Sequence, residues 1–317
     1  MTTLQQTPPR GRARIPRRVR QTTGATAAAR RGDARLAWIF VAPSILGFLV
    51  FAAYPTLRGM YLSFTDYRVL SPAEWVGFDN YVKLAHDAQF WGSVVTTLYF
   101  VVLTVVLTMA VSLATAVVLH RLTASTVLRS VVILPFLISN VVAAVVWSWM
   151  LDAQFGIVNL FLERIGIDAV AFLSDRHWVI PALSLITVWK TAGYTTILIF
   201  AGLQTIPVQV YEAGKLDGAG ELAMFRRITL PLLRPIMAMV LVLTVIGAFQ
   251  VFDIVAVSTK GGPANASLVL QMLIYDKAFG QFDFGYASAM SMALFAMLLV
   301  ISFLQMRLLR ADESDQG

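Results

Sequence analysis

Cysteine is absent from all 317 residues, which excludes a disulfide framework, a thiol nucleophile and an iron–sulfur centre. Histidine is nearly as scarce: His86, His120 and His177 lie far apart on separate segments, and neither H-E-x-x-H nor G-x-S-x-G occurs. Gly214-Lys215 is followed by Leu216, and Gln209 stands where a leading glycine would be, so the chain carries no phosphate-binding loop. No enzyme site is visible. Charge is scarce too. Asp, Glu, Lys and Arg make up 14% of the residues against 58% apolar, and the mean hydropathy is +0.72. Soluble domains run nearer ~45–50% apolar, so this composition belongs to an integral membrane protein.

Apolar runs long enough to cross a hydrocarbon core recur at about 36–57, 94–119, 131–151, 178–203, 236–257 and 284–306. The expected fold is an all-α integral membrane protein with six transmembrane helices in one domain, 36–306. It is flanked by a disordered Arg-rich tail, 1–35, and a short tail, 307–317. Pro43 and Pro55 are expected to break or end the first span; Pro135 and Asn140 lie inside the third. The net charge of +7 is gathered in the leading tail, at Arg10, Arg12, Arg14, Arg17, Arg18, Arg20, Arg30, Arg31 and Arg35, rather than spread on a face for nucleic acid. Such a flank stays in the cytoplasm, and an even number of spans then puts both termini there. Elsewhere the Lys and Arg of the two sides nearly balance, so orientation rests on the tail. Arg17-Arg18 lacks the apolar pattern of an export signal, and the first apolar block is too long for a cleaved leader.

One polar stretch is framed by the fourth and fifth spans: VYEAGKLDGAGELAMFRRITLPLLRP, Val210 to Pro235. Its spacing predicts two short helices around a turn at Asp217-Gly218, with Leu222, Phe225 and Ile228 on one apolar stripe and Arg226 and Arg227 off it. Pro231 opens the next element, where its missing N–H does least harm. Counting spans puts this elbow on the cytoplasmic side.

The stretch resembles the EAA loop of bacterial ABC importer permeases, at Glu212, Ala213, Asp217, Gly218, Ala219, Phe225, Ile228, Leu230, Pro231 and Pro235. Gly214 replaces the second alanine, a change that costs about 1 kcal/mol of helix propensity. Three further phrases, GFDNYVKL (Gly77 to Leu84), FGIVN (Phe155 to Asn159) and TKGGPANAS (Thr259 to Ser267), resemble the carbohydrate class of these permeases, the maltose and glycerol-phosphate type. The resemblance covers nearly all of 36–306. It implies a bacterial plasma-membrane subunit that forms half of a sugar pathway, for a di- or oligosaccharide. The implied partners are a second homologous permease, two cytoplasmic ATPase subunits, an extracytoplasmic solute-binding protein and membrane lipid. ATP and Mg would sit on the ATPase, and this chain would bind no cofactor and no metal. Glu212, Ala213, Asp217, Gly218, Ala219, Phe225 and Pro231 would couple the spans to that ATPase.

Polar groups at bilayer depth mark pathways by default, since an unpaired charge there costs several kcal/mol. Asn140, Lys190, Tyr194, Phe249, Gln250 and Asp253 are the candidates for the substrate pathway, with Trp147 beside them, because sugars need hydroxyl partners and aromatic rings. A Lys190–Asp253 ion pair is left open: along the helices Lys190 is roughly 12 Å deeper than Asp253, and a lysine that snorkels closes part of that gap. Two other readings stand beside the sugar permease. A nonsugar ABC permease, for a solute such as glycerol-3-phosphate, an amino acid or a polyamine, shares the elbow, and one for amino acids, phosphate or polyamines would lack the three phrases. An ion-coupled carrier requires repeated broken helices and leaves the elbow unexplained.

Overall fold

The computed structural model describes residues 27–69, 71–122 and 125–311. The chain divides into two compact units at Leu57–Arg58. The first holds helix α1 (Ala27–Phe48), a π-turn (Leu49–Ala53) and the opening of α2 (Tyr54–Leu62). Alanines at 27, 28, 29 and 34 are strong helix formers, and they carry α1 back into the stretch read as tail. Residues 1–26 of that tail lie outside the described residues. Neither proline ends the span, which runs Trp38–Leu62. Pro43 lies within α1; Pro55 sits in the first turn of α2, where its missing N–H is least costly, just after the π-turn has widened the ladder.

The second unit opens with the rest of α2, then a small antiparallel hairpin, β1 (Thr65–Asp66) and β2 (Glu74–Trp75), followed by α3 (Asp79–His86). Asn80, from the GFDNYVKL phrase, is buried and donates from Nδ2 to the carbonyls of Ser63 (3.0 Å) and Thr65 (2.9 Å). An asparagine here satisfies two carbonyls that the hairpin leaves open, so the phrase is a brace. At the start of the long helix α4 (Ala88–Leu122), Tyr286 donates to Asp87 Oδ2 at 2.7 Å. Burial pushes the Asp87 carboxyl up, but that bond, the Phe90 and Gln89 N–H groups and the Lys277 charge outweigh it and hold the group below the usual carboxylate range.

The third span is broken. Helices α5 (Thr126–Leu137) and α6 (Asn140–Met150) meet at 91°, where the sequence predicts one continuous run over 131–151. Pro135 removes an N–H and Ile138 turns extended, which frees the backbone to change direction. Helix α7 (Ile157–Arg164) follows; within FGIVN, Asn159 is buried and bonds the carbonyls of Asp152 and Val170 as well as the Val170 N–H. It too is a brace.

Helix α8 (Val179–Leu203) is the centre of the unit: 61% of its most apolar window is buried inside the protein, against 22% for the last span. Its most extensive partner is α4. Helix α4 buries a row of hydroxyls, Ser93, Thr97, Thr104, Thr108 and Ser112: Ser112 donates to the Ala192 carbonyl of α8 at 2.9 Å, and Thr97 accepts from the Leu270 N–H at 2.8 Å. Gly193 lets α5 touch α8 backbone to backbone, since any Cβ there would meet the Val132 carbonyl.

The elbow folds as α9 (Val208–Leu216) and α10 (Glu221–Met224), then a π-turn (Phe225–Thr229) leads into α11 (Leu230–Phe249). The fifth span also breaks, at Gln250 to Phe252, and Asp253 opens a separate short helix, α12 (Asp253–Ser258). A carboxylate suits a helix N-terminus, which is why the chain re-enters helix there. Helix α13 (Leu270–Tyr275) and the last span, α14 (Phe284–Ala311), complete the fold. Among the described residues, five helices are long and apolar enough to cross a membrane, and the bent pair α5–α6, counted as one span, makes a sixth.

Candidate functional site

A cavity of about 160 Å³ opens between α4, α5, α8 and α11. Thr104, Thr187, Thr191, Thr195 and Thr244 line it together with Leu198, Val240 and Leu243, the Thr187, Thr191 and Thr244 hydroxyls donating to carbonyls one turn back on their own helices, and Phe136 and Tyr194 form an aromatic wall, their rings stacked at 4.5 Å and 14°. Thr187, Thr191 and Thr195 recur every fourth residue on α8, which puts them on one face. The Thr104 hydroxyl is buried without a hydrogen-bond partner among the described residues.

Of the polar residues expected on the pathway, Tyr194 lines this cavity and the others do not. Lys190 is buried; its Nζ donates to the Phe136 carbonyl at 3.3 Å and lies 5.3 Å from the Phe136 ring centre. Asp253 accepts from Asn140 Nδ2 at 2.8 Å. Among the described residues there is no Lys190–Asp253 salt bridge. Each charge instead serves a different side of the break in the third span: Lys190 takes a carbonyl freed at the end of α5, and Asp253 holds the first residue of α6. Phe249 is buried, and Gln250 is exposed at the end of α11. Trp147 meets Trp189 edge to face at 5.5 Å.

The Asn140 bond carries a prediction. Replacing Asp253 with alanine should lower the thermal midpoint of the purified transporter by a loss of about 1–2 kcal/mol. Asp253→Asn, whose amide oxygen still accepts from Asn140, should keep most of that stability. Equal midpoints for Asp253→Ala and the parent would show that the bond does not hold the break.

At the elbow, Gly218 has φ +76° and closes α9 as a Schellman turn: the Gly218 N–H donates to the Lys215 carbonyl and the Ala219 N–H to the Gly214 carbonyl. Gly214 is buried against Ile228, whose Cδ1 would lie 2.8 Å from an added Cβ. The missing alanine is therefore a close approach, not merely a weaker helix. The expected apolar stripe is split. Ile228 and Met224 turn inward while Leu222 and Leu216 are exposed, because the π-turn adds a residue to the ladder and rotates Ile228 away from Leu222. Glu212, Ala213 and Asp217 are exposed, Ala219 and Phe225 half-buried, and Pro231 enters α11 in its first turn. Arg121, at the end of α4, pairs with Glu221, and a cleft of about 220 Å³ lies between them, lined by His120, Tyr211, Lys215 and Thr229.

Sequence reasoning missed Phe136, Gly193, the Arg121–Glu221 pair and the α4 hydroxyls. The last had a signal: their four- and seven-residue spacings describe one helix face.

Residues 107–311 match the family of binding-protein-dependent transport system inner membrane components. The chain belongs to this family. It is a multi-pass transport subunit of that kind, and its similarity to other inner membrane components extends beyond the matched region. The sulfoquinovosyl glycerol transport system permease protein SmoG of Agrobacterium fabrum is 32% identical, covering 89% of this chain and 92% of that protein. The trehalose/maltose transport system permease protein MalF of Thermococcus litoralis is 33% identical, over 86% and 92%. The lactose transport system permease protein LacF of Rhizobium radiobacter is 34% identical, over 84% and 92%. Among solved structures, a bacterial ABC transporter involved in import of the acidic polysaccharide alginate superposes with a TM-score of 0.78 at 27% identity, covering 89% of this chain and 99% of that one. The alginate transporter in complex with its pentasaccharide-bound periplasmic protein gives 0.78 at 26% identity.

Proposed function

We propose that this inner membrane component forms half of the pathway of a sugar importer, for a di- or oligosaccharide, driven by ATP hydrolysis on a partner. The observation that carries the reading is the cavity: five threonines line it beside a stacked Phe136–Tyr194 pair. Hydroxyls exchange hydrogen bonds with a sugar's rim, and aromatic faces cover its apolar side. Relatives named for trehalose/maltose and lactose transport support it.

The remaining parts of the assembly follow from the same reading. A second permease supplies the other half, a solute-binding protein delivers the sugar from outside, and two ABC ATPase subunits hold ATP and Mg. The elbow meets the ATPase through Glu212, Ala213, Asp217, Gly218, Ala219, Phe225 and Pro231. Exposed Leu216 and Leu222 give that contact an apolar component. The Arg-rich 1–35 supports a bacterial plasma-membrane topology with both termini and the elbow in the cytoplasm.

Uptake of labelled di- and oligosaccharides, in cells that contain all the partners and either the parent chain, no chain or Tyr194→Ala, tests the reading. One sugar's uptake should vanish without the chain. In Tyr194→Ala its KM should rise about ten- to seventyfold, as loss of a stacking contact worth about 0.5–1.5 kcal/mol and a hydroxyl partner worth about 1 kcal/mol implies. A deletion that spares every sugar and abolishes uptake of an amino acid or polyamine would move the substrate to that class.

A further inference from the structure

We infer that Lys190 is a positioning residue that fixes Phe136 against Tyr194, and that the wall it builds takes the apolar face of an uncharged sugar ring. The inference rests on the sugar-pathway reading of this cavity.

Lys190 and Tyr194 are four residues apart on α8 and so project from one face of it, toward the end of α5. There α5 stops at Leu137, and the last carbonyls of a helix have no partner within it. Lys190 reaches one of them. Its Nζ donates to the Phe136 carbonyl at 3.3 Å and also stands 5.3 Å from the centre of the same residue's ring. One side chain thus holds Phe136 twice, at its backbone and at its ring. The held ring stacks on Tyr194 at 4.5 Å and 14°. Without the lysine, the end of a broken helix would have to orient that ring alone.

The same geometry says what the lysine is not doing. It is buried and does not line the cavity, and among the described residues no charged side chain does. A cation waiting for an acidic sugar would point into the space that the sugar fills. This one is turned onto a carbonyl and a ring face, where its charge is used. What the cavity offers on its surface is aliphatic and aromatic, with threonines among them, which suits the apolar face of a ring without formal charge.

The test is sugar uptake by the complete transporter, normalised to the amount of chain in the membrane, for the parent, Lys190→Met, Lys190→Gln, Phe136→Ala and the double variant Lys190→Met/Phe136→Ala. Lys190→Met should raise KM about tenfold with a smaller change in maximal rate, and Lys190→Gln, which still donates to the carbonyl, should fall between. The double variant should match Phe136→Ala alone, since the lysine acts through Phe136. A neutral sugar should compete for uptake, and its carboxylated counterpart should not. If Lys190→Met does not accumulate, the same comparison is made with Lys190→Gln and its double variant. Independent, multiplying effects of Lys190 and Phe136, or a loss confined to acidic sugars, would overturn the inference. An unchanged KM in both Phe136→Ala and Tyr194→Ala would instead overturn the sugar-pathway reading on which it rests.

Discussion

Replacing Gly218 with valine should leave the chain in the membrane at parental level and cut substrate-stimulated ATP hydrolysis by the assembled transporter at least about tenfold. The reasoning separates backbone from contact. Gly218 has φ +76°, where a residue with a Cβ costs about 1–2 kcal/mol and a β-branched one more. A Cβ at this position would meet nothing within 4 Å, so crowding is not the cause. The strain must be relieved by opening the Schellman turn, which frees the Lys215 and Gly214 carbonyls and lets α9 and α10 swing independently. An elbow that bends cannot transmit a displacement. About 1.4 kcal/mol is a factor of ten in an equilibrium constant, so a strain of this size is enough to uncouple. Gly218→Asn, which tolerates the left-handed region, should retain much more stimulation than Gly218→Val. Parental stimulation in the valine variant would remove Gly218 from the coupling element.

The elbow's two helices and its turn at Gly218 were legible because each depends on neighbours in sequence: a helical spacing, a turn pair, a proline that opens α11. The central and last spans were legible for the same reason, α8 being placed at Val179–Leu203 where the apolar run predicts it. Tertiary partners were not. On straight helices Lys190 and Asp253 differ in depth by roughly 12 Å, which leaves their pairing open, and the third and fifth spans beside them are both interrupted. The third span bends by 91° and the fifth stops at Phe249, so the carbonyls and amides of the breaks compete for those charges. Pro135 announces a disturbance without giving its angle. Phe136 was passed over because one more aromatic in an apolar run carries no signal; only the lysine and the tyrosine brought to it by α8 single it out.

Gly193→Ala and Gly92→Ala are the same chemical change in the middle and near the start of two spans, and they should move stability in opposite directions. Gly92 lies in α4 with nothing within 4 Å of an added Cβ, so alanine there gains helix propensity, about 1 kcal/mol. Gly193 gains the same propensity and loses more. Its Cβ would land on the Val132 carbonyl, with Ile133 Cα 3.2 Å away, and backbone cannot step aside as the end of a side chain can. Relief requires α5 to part from α8, and forced insertion into a packed contact costs about 1–3 kcal/mol. That separation also reaches the cavity, because Val132 lies one turn before Phe136 on α5 and Gly193 adjoins Tyr194 on α8. Thermal midpoints of the purified transporter should therefore rise for Gly92→Ala and fall for Gly193→Ala, with a further fall and poor accumulation for Gly193→Leu. The sugar KM should rise in Gly193→Ala alone. Midpoints that shift alike in the two alanine variants would mean that α5 and α8 are not held by backbone contact, and the aromatic wall would lose its foundation.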